Sequence, residues 1–245
     1  MLNERGQREE AIACHDQAIE LNPRDEDAWV SKGVALNGLG RRQEALVCYE
    51  RAIEINPRYE DAWNNKGNIL SAVGQNEEAL SCYDQAIKLN PRNEKAWTNK
   101  GCTLEDLGRR EEAVTCYDRA LEFNPRYETA WYNKGYLLDK GGLYDEAIAC
   151  YDRVLELNPR KENAWTNKGA VLGALSRYDD AVACFEQLIH LNPRSAKAWF
   201  NKGTALLKSS QHFLEAMVCF EEAQRLGLPE AKSAILYCQT MLRIQ

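Results

Sequence analysis

Nine cysteines and three histidines are the side chains of this chain best suited to chemistry. Thiolates close disulfides, bind soft metals or act as nucleophiles, and imidazole can join them as ligand or base. Seven of the cysteines, Cys14, Cys48, Cys82, Cys116, Cys150, Cys184 and Cys219, recur at near-constant spacing. No CxxC pair occurs, and His15, His190 and His212 are scattered, so no metal is expected. Equivalent positions on packed helices lie roughly 8–10 Å apart, beyond the ~7 Å Cα separation that a disulfide allows. The column reads as small apolar residues in a reducing compartment, which gives a cytoplasmic expectation. Paired acids also recur, at Glu77-Glu78, Glu111-Glu112 and Asp179-Asp180. Two carboxylates can share acid–base work. Repeated at the start of successive helices, they instead favour the positive end of the helix dipole, with one of each pair in a capping position. Nucleophile motifs, a Gly-rich phosphate loop and an HExxH helix are all missing from the sequence. The chain therefore reads as a non-enzyme without a cofactor.

Composition narrows the partners. Of the 245 residues, 44% are hydrophobic and 28% charged, which suits a folded chain rather than a disordered one. The net charge of −6, with both signs mixed, argues against nucleic acid and against a polybasic membrane surface. No apolar run approaches the ~20 residues of a membrane span. The start, MLNERGQREE, is too polar for a signal peptide.

What positions these side chains is a repeat. Asn-Pro falls at residues 22–23, 56–57, 90–91, 124–125, 158–159 and 192–193, and each step is 34 residues. Every tryptophan keeps the same step, from Trp29 and Trp63 to Trp199. Within residues 60–93, Trp63, Gly67, Leu70 and Val73 follow a helical period that Gly74 closes. Ala79, Tyr83, Ala86 and Ile87 mark one face of a second helix, stopped at Asn90-Pro91. Gly67 pairs with Ala79 in this copy, as Gly33 does with Ala45. That pairing predicts a close approach of the two helix backbones, with Trp63 and Tyr83 filling around it.

The unit resembles the tetratricopeptide repeat, carried here by Trp63, Gly67, Ala79, Tyr83, Ala86 and Pro91. The NKG and NPR wording is similar to the regular arrays of archaea and some bacteria. The resemblance implies an all-α fold, a right-handed superhelical α-solenoid of stacked helix-turn-helix repeats. Six repeats are drawn: 26–59, 60–93, 94–127, 128–161, 162–195 and 196–230. Residues 1–25 form a half-repeat, a second helix with a stub of the first. Residues 231–245 form a capping helix with Ile235 in the Trp slot and Gln239 in the Gly slot. The sixth repeat carries one extra residue in "KSSQHF", where a local bulge is expected. One departure is systematic: Lys32, Lys66, Lys100, Lys134, Lys168 and Lys202 precede the glycine where the family has a large apolar residue. Either each stem packs across the hairpin while its amine reaches water or an acid, or the column is a charge ladder for a partner.

The resemblance also implies that the first helices line a concave groove for a peptide or protein. Counting Glu60 as slot one, the groove slots are roughly the second, fifth, sixth, ninth, twelfth and thirteenth. The fifth reads Val30, Asn64, Thr98, Tyr132, Thr166, Phe200 and the ninth Val34, Asn68, Cys102, Tyr136, Ala170, Thr204. The sixth is nearly constant: Ser31, Asn65, Asn99, Asn133, Asn167, Asn201. A side-chain amide both donates and accepts. The row is thus either a ladder for the backbone of an extended peptide, as in the similar region of O-GlcNAc transferase, or a family default bonding the neighbouring helix. A carboxylate clamp of the chaperone-adaptor kind is rejected, because no fifth slot holds Lys. Acids (Asp27, Asp61, Glu105, Asp106, Asp139) lie mostly toward the N-terminal repeats, and Lys197 and Lys208 toward the C-terminal ones, with Lys95 and Lys140 between. Tyr132, Tyr136 and Phe200 add an aromatic stretch suited to a hot spot. Two rival expectations stand beside the groove. One is self-association through the N-terminal edge, where Ala11, Ile12, Cys14, Ala18 and Ile19 offer an apolar face and His15 takes the aromatic slot. The other is a regulatory part of a longer protein.

Overall fold

The computed structural model describes residues 2–210 and 212–244. These residues form fourteen helices and no strand. The chain divides into two compact bodies, the first ending at Tyr127 and the second beginning at Glu128. The first body holds α1 (Leu2–Leu21), α2 (Glu26–Gly38), α3 (Arg42–Ile55), α4 (Glu60–Ala72), α5 (Asn76–Leu89), α6 (Glu94–Asp106) and α7 (Arg110–Phe123). The second holds α8 (Glu128–Lys140), α9 (Tyr144–Leu157), α10 (Glu162–Ala174), α11 (Tyr178–Leu191), α12 (Ala196–Ser210), α13 (Phe213–Arg225) and α14 (Ala231–Ile244). In each body the helices pair as hairpins, and each hairpin packs on the next. This is an all-α helical repeat solenoid.

The atoms nearest a Cβ added at the repeated helix glycine are mostly those of a ring, although at Gly203 it would also lie 3.1 Å from the backbone carbonyl oxygen of Ala216, the partner the sequence pairs with it. A Cβ added at Gly67 would lie 2.7 Å from Cε1 of Tyr83, and one at Gly101 would lie 2.6 Å from Cε1 of Tyr117. The expected partner, Ala79, is fully buried but does not make that close contact. Tyr49, Tyr83, Tyr117 and Tyr151 are each at most 1% exposed, so the rings have little room to yield. The tight turns after α2, α4, α6, α8 and α10 each hold a left-handed residue. Gly108 supplies it at φ 75°, whereas the fifth repeat uses Ser176 at φ 60°.

The Asn-Pro corners carry more bonds than a helix stop requires. Asn56 Oδ1 accepts from the Arg58 backbone N–H at 3.0 Å, while its Nδ2 donates to Glu26 at 3.0 Å. The indole N–H of Trp63 donates to the Pro57 carbonyl at 3.0 Å, and Trp165 does the same to Pro159 at 2.9 Å. Each indole thus ties a corner to the helix that follows it. Side-chain caps occur on some first helices, though not at Tyr59 or Lys161. Asp25 and Asn93 cap first helices by accepting from Ala28 and Ala96. Second helices begin at Arg41, Gln75 and Arg109 with no side-chain cap. There the second acid of the pair does not cap as expected. Glu112 takes a two-pronged bond from Arg109, which holds its carboxyl below the usual range.

The ends differ from expectation in two details. α1 is one continuous helix from Leu2, rather than a stub followed by a helix near Gln7. Ile12 on its supposed open face is already buried in the core with Val30 and Tyr49, while Cys14 is exposed and Leu21 is 89% exposed. In α14, Ile235 and Cys238 bury against the α13 core. The bulge expected in the sixth repeat falls on Gln211, which lies outside the described residues, as do Met1 and Gln245 of the two end segments.

Candidate functional site

The lysine column resolves first. Lys66 Nζ lies 3.0 Å from Glu50, Lys100 2.6 Å from Asp84, Lys168 2.6 Å from Asp152 and Lys202 2.8 Å from Glu186. In each case the acid stands on the second helix of the preceding repeat. The stems are about four-fifths buried, and Lys32, Lys100 and Lys168 also sit over the tryptophan three residues earlier. Of the two alternatives, the stem-packing one holds for these lysines, with the amine on an acid. The cysteine column is likewise structural: Cys48, Cys82, Cys116, Cys150, Cys184 and Cys219 are all buried. Burial pushes the Cys116 and Cys184 thiols up to about 11. No group of three metal-ligating side chains occurs among the described residues.

The predicted groove slots separate into packed and open ones. The fifth slot faces inward more than expected, with Val30, Asn64 and Thr98 buried. Tyr132 and Phe200 are half-buried because they lean on the aromatic slot of their own hairpins. Their ring centroids lie 6.1 Å from Tyr151 and 5.3 Å from Phe220. Asn64 therefore belongs to the packing between helices. The sixth-slot residues Asn65, Asn99, Asn133, Asn167 and Asn201 are all half-buried. Asn99 Nδ2 donates to Asn64 Oδ1 at 3.1 Å, and Asn167 Nδ2 donates to the Tyr132 hydroxyl at 3.2 Å. Each bond runs from the sixth slot to the fifth slot of the preceding first helix.

The ninth slot is the open one. Val34 is 53% exposed and Tyr136 38%, Ala170 is exposed, and Asn68, Cys102 and Thr204 are half-buried. In the first body this slot meets the aromatic ring of its own repeat. The Tyr83 hydroxyl donates to Asn68 Oδ1 at 2.9 Å, and the Tyr117 hydroxyl lies 3.5 Å from Cys102 Sγ and 3.4 Å from Glu105. Burial raises the Glu105 carboxyl above its usual range. Asn68, Asn99, Cys102 and Asp106 border a cavity of about 250 Å³ there. In the second body, Lys140 lies over the Tyr136 ring, and Lys197 is exposed at the start of α12. The sequence reading missed the hydroxyl-to-ninth-slot bond, although the constant offset of Tyr83 from Asn68 and Tyr117 from Cys102 is visible in it.

A fixed core repeated every 34 residues, carrying side chains that vary on one helix face, defines a helical-repeat protein. Tetratricopeptide repeat models match residues 26–59 and 60–93, and again 98–162 and 166–227. The chain belongs to the tetratricopeptide repeat family, whose members are generally protein–protein interaction modules.

Similar solved structures include YrrB, described as a TPR protein with an unusual peptide-binding site. It is 23% identical, with a TM-score of 0.59 over 75% of this chain and 95% of that one. PilF of Pseudomonas aeruginosa is 20% identical, with a TM-score of 0.71 over 86% of this chain and 98% of that one. The Cut9–Hcn1 hetero-tetramer of the APC/C gives 17% identity and a TM-score of 0.67, over 97% of this chain and 47% of that one. At these identities the likeness is one of fold. No curated protein matches the sequence. No helix among the described residues is long and apolar enough to cross a membrane.

Proposed function

We propose that the chain is an interaction scaffold that binds an extended peptide or protein segment along the face of its first helices. One observation carries this reading. Of the first-helix slots that change from copy to copy, the ninth is the open one: Val34, Tyr136 and Ala170 are exposed, and Asn68, Cys102 and Thr204 are half-buried. Packing dictates what recurs, so residues that vary on an open face are free to serve a ligand. The half-exposed asparagines support it. An amide carries two N–H donors and a carbonyl oxygen, and the bond to the preceding helix takes one donor from Asn99 or Asn167. Tyr136 and Phe200 supply aromatic contact area. YrrB, of the same fold, is described as having a peptide-binding site, which keeps a peptide ligand in view.

The test is affinity capture from a cell lysate on immobilised protein, comparing wild type with Tyr136→Ser and with Val218→Ser. Val218 is exposed on a second helix and serves as the control. Loss of captured protein with Tyr136→Ser alone supports the reading. Equal capture by all three overturns it. A second reading, self-association through α1, rests on the exposure of Leu21 and Cys14. Sedimentation velocity showing one monomeric species across a hundredfold range of concentration, roughly two decades of mass action, rejects it.

A further inference from the structure

The fifth repeat departs from the third and fourth at four positions that meet in space, one of which, the aromatic slot, it shares with Phe220 of the sixth. Phe185 stands where Tyr83, Tyr117 and Tyr151 stand in other repeats, so no hydroxyl reaches the ninth slot. That slot is Ala170, with no polar group to meet one. Gly173 and Ala174 replace the bulky charged pair found as Glu105-Asp106 in the third repeat and Asp139-Lys140 in the fourth. Together these changes open a cavity of about 260 Å³ between α10 and α12, floored by Ala181 and Phe185 of α11.

The floor is apolar and the rim is not. Asn201, Thr204 and Lys208 line the α12 side, and no carboxylate lines the cavity among the described residues. The Thr204 hydroxyl is already spent on the Phe200 carbonyl at 2.9 Å. Lys208 is exposed, with its ammonium 6.0 Å from the Tyr178 ring centroid. An engineered apolar cavity of ~150 Å³ holds benzene, whereas small-molecule sites run to ~300–1,000 Å³. The space here suits one side chain better than a free ligand.

We infer that this cavity is a specificity pocket that takes one apolar side chain, of leucine to phenylalanine size, from a bound peptide whose neighbouring residue presents a carboxylate to Lys208. The inference rests on the groove reading above and names the ligand class for this part of it. The apolar anchor supplies most of the affinity, because a buried side chain in a fitted pocket dominates an interface. The exposed Lys208 adds selectivity and a salt dependence.

A random peptide library displayed on phage, selected on the immobilised full chain, tests it. Enriched peptides are expected to share Leu, Ile, Met or Phe with Asp or Glu within two residues. A labelled synthetic copy of an enriched peptide is then titrated by fluorescence anisotropy. Ala170→Tyr fills the pocket with the side chain that the fourth repeat carries at the same exposed slot, and should weaken binding by at least about tenfold. Lys208→Gln should weaken it by about two- to fivefold and flatten the salt dependence. If Ala170→Tyr leaves affinity unchanged while Tyr136→Ser weakens it, the pocket is overturned and the groove stands. If no peptide is enriched, or if neither substitution matters, both are overturned.

Discussion

The side-chain amide nitrogen of Asn99 lies 3.1 Å from the buried amide oxygen of Asn64, one repeat earlier. At Asn99, as at Asn167, the sixth-slot amide is therefore a tie between first helices before it is anything for a ligand. Asn99→Ala leaves a buried acceptor unpaired, a loss of about 1–3 kcal/mol. Chemical denaturation should show that destabilisation, and a double-mutant cycle with Asn64→Ala should recover part of it. Strict additivity would mean that the bond carries no coupling.

Gly101 faces Tyr117 so closely that a methyl group cannot be added without moving a buried ring. Gly101→Ala gains helix propensity of about 1 kcal/mol and loses more to overpacking. A net destabilisation of about 1–2 kcal/mol is expected, together with a lowered Tm. Adding Tyr117→Leu should relieve part of it by removing the ring.

At the turn of the fifth repeat, Ser176 holds φ 60°, where its counterpart Gly108 holds 75°. Left-handed backbone costs a residue with a Cβ about 1 kcal/mol relative to glycine. Ser176→Gly should therefore raise the Tm, and Gly108→Ala should lower it. An unchanged melting curve for both would contradict the assignment of strain to this turn.

The thiols give a pH prediction. Burial raises Cys116 and Cys184 from an ordinary value of 9.0 to about 11. Above pH 9 the unfolded chain loses these protons while the folded chain keeps them. The stabilisation is complete below pH 9 and is lost as pH rises toward 11. Denaturation midpoints should fall across that window, and replacing both residues by alanine should reduce the slope. Iodoacetamide at pH 8 should modify exposed Cys14 well before the buried column.

How much of this was legible in the letters depends on what the letters encode. Trp63, Gly67, Tyr83 and Pro91 recur because each repeat must close and stack, so their period revealed the all-α repeat. The partner of Gly67 was not legible, since spacing alone gives no ring direction and Ala79 offered an equally regular offset. The pairing of Lys66 with Glu50 lies between two repeats, so reading one repeat at a time could not separate an ion pair from a ladder. Asn64 was mistaken for a groove letter because variation at a buried contact between repeats looks the same in sequence as variation at a surface. The fifth-repeat pocket left a signal in Ala170, Gly173, Ala174 and Phe185, but one visible only after the fold had brought them together.

Hydrogen–deuterium exchange with and without an enriched peptide tests the binding face most directly. The account predicts slowed exchange in the first helices α8, α10 and α12, strongest around Tyr136, Ala170 and Lys208, with second helices α9 and α11 little changed. Protection confined to α1 and α14, or to the second helices, would contradict it.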